Sequence, residues 1–138
     1  MAFSTYLADK ILAWVKGSAF PTQLSNVYVS IHTGDPGVAG TSNDVTSAVA
    51  GSRTTVASNA FSSVGSASGG GYEITNTGTV QITASAQNSS ATTLTHFGVW
   101  DSASGTNFLA SGALTSSVQI QQGDTVQFNT GALAIRVV

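Results

Sequence analysis

The sequence predicts an all-β fold, an antiparallel β-sandwich of jelly-roll or immunoglobulin-like type with one N-terminal amphipathic α-helix. Three observations predict it. Short β-type runs separated by Gly- and Ser-rich turns fill the chain from residue 27 onward. A helical apolar period occurs once, ahead of residue 17. The chain has 138 residues and no cysteine, a length that suits one domain closing its core without a disulfide or a metal. The expected organisation is a single domain over 1–138, with the helix in 1–17 and a long loop or arm over 34–51.

The helix rests on Phe3, Leu7, Ile11 and Trp14, which fall on one stripe at i, i+4, i+8 and i+11. Ser4 or Thr5 suits its N-cap, Lys16 its C-terminal dipole and Gly17 its stop. The stripe can cover the chain's own sheet or dock on a neighbouring subunit. After Phe20-Pro21 the period becomes two. Val27, Val29 and Ile31 alternate with Tyr28, Ser30 and His32, as in a half-buried strand. Thr33-Gly34-Asp35-Pro36-Gly37 marks a turn. The stretch to Gly51 has little periodicity and is long for a connection inside a compact domain. The expectation is a segment disordered when free, or an arm that a partner orders.

Strands are expected at Arg53–Ser58, at Tyr72–Thr75 after the Gly69-Gly70-Gly71 break, and at Thr79–Ala84. Thr92–Trp100 is the strongest, with Leu94, His96, Gly98 and Trp100 on one side and Phe97 and Val99 on the other. Phe108–Leu114, Val118–Gln121, Val126–Phe128 and Leu133–Val137 follow, with no second helix. Gly112-Ala113-Leu114 returns as Gly131-Ala132-Leu133, which reads as two similar strand entries in one sheet.

Composition narrows the chemistry. Only 7% of residues are charged, about a quarter are Ser or Thr, and the net charge is −2. Catalytic clefts concentrate titratable groups, and this chain has few to concentrate. Lys10, Lys16, Arg53 and Arg136 are scattered, so no basic patch for nucleic acid is expected. No run approaches the ~20 apolar residues of a membrane span. Asp9 and Lys10 interrupt the apolar N-terminus, so an unprocessed chain made in a cytoplasm is expected. His32 and His96 are far apart with no ligand-spaced neighbour, and are expected to be hydrogen-bonded structural or interface residues. Asp35, Asp101 and Asp124 sit in turns, where Asp bonds its own backbone. No serine lies in a nucleophile elbow. Trp14 and Trp100 fit core or interface packing before a sugar platform. No catalytic residue, metal ligand or cofactor is therefore expected.

Several motifs, in order and together covering nearly the whole chain, resemble a family of small tailed-phage virion proteins. They are Met1-Ala2-Phe3-Ser4-x-Tyr6-Leu7-x-x-Lys10-Ile11-Leu12, Val27 to Pro36, Gly70-Gly71-Tyr72, Thr95 to Asp101, Ser111 to Thr115, and Gln122-Gly123-Asp124-Thr125-Val126-x-Phe128 leading to Gly131-Ala132-Leu133. Members are often labelled tail-fibre proteins, and similar small β-sandwiches serve as capsid decoration, or cement, proteins. One departure is Glu73, where relatives often carry Arg after Gly-Gly-Tyr.

The resemblance implies a virion component without enzymatic activity. The leading expectation is a capsid decoration protein, a homotrimer bound to the major capsid protein and bridging capsomers. The alternatives are a tail, baseplate or tail-fibre component that contacts tail proteins, and a carbohydrate-binding module. Neither nucleic acid nor membrane is an expected partner. The interface candidates are Phe3, Leu7, Ile11 and Trp14 on the helix, and Asp35, Pro36, Val38 and Val45 on the loop.

Overall fold

The computed structural model describes residues 3–85 and 90–137. Its elements run α1 (Thr5–Val15), β1 (Asn26–His32), α2 (Thr46–Val49), β2 (Thr54–Ala57), β3 (Gly65–Ser66), β4 (Tyr72–Thr75), β5 (Val80–Thr83), β6 (Thr92–Trp100), β7 (Phe108–Ile120), β8 (Thr125–Phe128) and β9 (Ala134–Val137). The strands form an antiparallel β-sandwich. One layer is a four-stranded sheet in the order β2-β1-β6-β7; the other strands form the sheets β3-β4-β9 and β5-β8.

The core lies between the layers. Val27, Val29, Ile31, Val56, Phe97 and Val99 come from the large sheet, and Val80, Ile82, Val126, Phe128 and Leu133 from the facing strands and their approach. Every second residue of β5 and β8 is buried, while Gln81, Thr83, Thr125 and Gln127 pair across the outer face. Neutral polar pairs thus cover that face of the sheet without charge.

Five expectations need correction. The segment over 34–51 is neither a disordered loop nor an arm awaiting a partner. It folds back along β1, with Thr33 N–H donating to Asn43 O and Val45 N–H to Ile31 O. Pro36, Gly40, Thr46 and Val49 are buried. Thr46–Val49 is a one-turn helix, so a second helix is present. Its Thr46 hydroxyl accepts from Ile31 N–H at 2.9 Å, and Asp44 Oδ1 accepts from Thr46 N–H at 2.8 Å in the turn that leads into it.

The two strands expected over 108–121 are one strand, β7, interrupted by a large bulge. Leu94 pairs with Val118 and His96 with Ala113, so Thr95 alone is opposed by residues 114–117. That extra chain shifts the phase of the pleat. Leu94 therefore joins Phe97 and Val99 in the core instead of sharing a face with His96. The Gly-Ala-Leu echo is not a shared strand entry. The first copy lies inside β7 and the second precedes β9, in a different sheet.

Candidate functional site

β1 was expected to be half buried, yet Ser30 and His32 are fully enclosed beneath the folded segment 33–45. They belong to a closed polar chain. His32 Nδ1 lies 2.9 Å from Ser42 O, His32 Nε2 lies 2.7 Å from Ser30 Oγ, and Trp100 Nε1 donates to Ser30 Oγ at 2.8 Å. A carbonyl only accepts, so Nδ1 carries the hydrogen. Nε2 then accepts from the Ser30 hydroxyl, whose oxygen accepts in turn from Trp100. A serine 2.7 Å from an imidazole is the spacing of a nucleophile and its base. Here both are at 0% exposure, and the pair is sealed from any substrate.

Trp100 is held on both sides. Phe108 tilts against it with ring centroids 4.9 Å apart. The Arg53 guanidinium lies 3.6 Å from its ring centroid and donates to Ser102 O and Gly105 O. Arg53 thereby fastens the 101–107 turn to the sheet. Gly98 is required beneath this chain, because a Cβ there would come within 2.5 Å of Ser30 Oγ and 3.1 Å of His32 Nε2.

Burial pushes the His32 pKa below its ordinary value, opposed by the Ser42 carbonyl and Asp44 and helped by His96 and Arg53. The folded protein therefore takes up a proton at His32 less readily than the unfolded chain does. His32 contributes stability at neutral pH that is lost as pH falls below about 6.5 toward the lower folded value. Unfolding free energies from urea titrations between pH 7.5 and 5 should fall at up to ~1.4 kcal/mol per pH unit. His32→Gln, although less stable at neutral pH, should flatten that slope; an unchanged slope would exclude His32 as its source.

The exposed apolar surface gathers elsewhere. α1 is capped by Ser4, whose Oγ accepts from Leu7 N–H at 3.0 Å. Its N-terminus is tied to the folded segment by Thr5 N–H donating to Val38 O at 3.0 Å. α1 lies against β7 but has no fully buried residue. Trp14 is 59% exposed and meets Phe20 edge-on at 6.4 Å. Tyr6, Leu7, Phe20, Pro21, Leu24 and Leu109 line a groove of about 540 Å³ beside the helix, with Asp101 at its margin.

Of the interface candidates, Phe3 and Trp14 are exposed, while Leu7 and Ile11 are half buried along α1. Asp35 is exposed, and its Oδ1 accepts from Gly37 N–H. Val38 is exposed, Pro36 is fully buried, and Val45 packs against the core. The fold brings the two groups together where Thr5 meets Val38. Sequence reading missed Leu12, Val15 and Phe20, which are all large, apolar and exposed. The signal for Leu12 and Val15 was the run Ile11-Leu12-Ala13-Trp14-Val15, apolar on every side of the last helical turn.

Among the described residues no group of three or more His, Cys, Asp or Glu is placed to hold a metal ion. No described helix is long and apolar enough to cross a membrane. Glu73, the departure noted above, accepts from Arg136 Nε at 2.6 Å across the β4–β9 pair.

A sandwich of this kind, carrying the ordered motifs read above, is a structural protein of the phage virion. The family model described as podophage GP4 fiber I protein gp80 matches residues 2–136, and the chain belongs to that family. No curated protein matches the chain.

Proposed function

We propose that this protein is a non-enzymatic structural subunit of a phage tail fibre, working through protein–protein contacts with tail proteins. The observation that carries the reading is the contrast between its surfaces. The Ser–His pair is sealed at 0% exposure, whereas Leu12, Trp14 and Val15 of α1 and the neighbouring Phe20 are exposed to water. Exposed apolar clusters of that kind mark interaction sites. The family's description as a fiber protein favours the tail over the head.

The test is where the protein sits on intact particles, read with gold-labelled antibody and by copy number. Label confined to the tail, in few copies, is the expected result. Label spread densely over the head would replace this reading with capsid decoration and make the major capsid protein the partner.

A further inference from the structure

We propose that the last turn of α1 and the groove beside it bind a second copy of this chain, the two helices crossing antiparallel about a two-fold axis. The inference concerns the isolated protein and does not depend on where it sits in the virion.

The first argument is area. The N-terminal half of α1 is fastened by the Ser4 cap and the Thr5–Val38 bond. The C-terminal half stands clear, with Leu12 68%, Trp14 59% and Val15 72% exposed, and Phe20 beside them at 49%. At those exposures the four residues present roughly 500 Å² of surface, at the upper end of what a monomer leaves in one patch. The neighbouring groove walls of Tyr6, Pro21 and Leu24 extend it toward the ~800 Å² per partner of a standard interface.

The second argument is charge, and it selects the occupant. The charged residues around the patch are Asp9, Lys10 and Lys16 on or next to α1, and Asp101 at the groove. Two acids and two bases leave no excess of either sign, so a strongly acidic or basic partner gains nothing there. A second copy does gain, because Asp9, which meets Lys10 Nζ at 3.1 Å within the chain, keeps a 69% exposed side chain that can take a second cation. Asp9, Leu12 and Lys16 lie at i, i+3 and i+7, on one stripe of the helix. Antiparallel pairing centred between Leu12 and Ala13 places Asp9 of each copy opposite Lys16 of the other. A two-fold contact makes that match twice.

Sedimentation of the purified full-length protein between 1 and 100 µM tests the proposal. A dimer is expected, with Trp14 emission shifting to the blue as it forms, since Trp100 is already buried. The variant L12D/V15D changes two exposed side chains, so its thermal midpoint should stay within about 2 °C of wild type while dimerisation weakens roughly a hundredfold. D9K and K16D should each weaken the dimer several-fold, and D9K/K16D should recover it. A monomer at 100 µM, a trimer, or a dimer indifferent to L12D/V15D would overturn the proposal. Failure of the double charge variant to recover would overturn the antiparallel pairing. None of these outcomes bears on where label appears on particles.

Discussion

Asn76→Asp is expected to lower unfolding free energy by about 4 kcal/mol although it changes one atom. Asn76 is at 0% exposure, just past β4. Its Nδ2 donates to Gly78 O at 2.7 Å and Asn129 O at 3.0 Å, and its Oδ1 accepts from Leu133 N–H at 2.9 Å. Its backbone adds an N–H to Leu133 O and a carbonyl for Gly131 N–H. One side chain thus joins the end of β4, the exit of β8 and the approach to β9, and seats Leu133 in the core. Aspartate keeps the shape but has no amide hydrogens. The carbonyls of Gly78 and Asn129, on exposed residues, lose their donor and face a carboxylate oxygen instead. Each lost hydrogen bond costs about 1 kcal/mol, and a carboxylate enclosed at a fully buried position adds the larger share. Urea titration at pH 7 reads the loss. A difference under 1 kcal/mol would show that the junction is not held by this amide. Protonation restores one donor, so the defect should shrink as pH falls.

Gly40→Ala is expected to cost about 3 kcal/mol and to free the segment 33–45. Gly40 has φ +74°, and an added Cβ would fall inside the Phe108 ring. That ring cannot give way easily, because it is buried and packed on Trp100, which is tied to Ser30 and His32. Gly51→Ala separates the two causes. Gly51 also has positive φ, at +82°, but nothing lies within 4 Å of the added carbon. It should cost only the ~1 kcal/mol of the backbone. Hydrogen exchange should accelerate across 33–45 in the first variant and not in the second. Equal effects would mean that the Phe108 contact is unimportant.

The fold class was legible because alternation survives wherever a strand has one buried face, as in Val27-Val29-Ile31 and Val80-Ile82. It failed where both faces are covered. Nothing local announces that Ser30 and His32 will be enclosed, since the cover comes from residues 33–45 and its fit depends on Gly40 passing over a ring 68 positions away. The β7 bulge was illegible for a related reason. Residues 115–117 look like a pause between strands, and only the pairing of β6 on both sides makes them one strand. At the surface, the helical stripe runs through Leu7 and Ile11, which are half buried, to Trp14, which is exposed. Leu12 and Val15 lie off that stripe and are exposed, which depends on how α1 lies against β7. Pro36 and Val45 were read as contact residues because an uncharged loop looks available; the chain itself covers the first and packs the second on its core.

The bond from Thr5 to Val38 also sets a route for mechanical load. Tension drawn along α1 enters the segment 33–45 and passes to β1 through Thr33–Asn43 and Val45–Ile31. β1 is an inner strand, laddered to β2 on one side and β6 on the other. Those few bonds along β1 are weaker than the two ladders behind them. Under strain the segment 33–45 is expected to peel first, while the sandwich behind it stays shut.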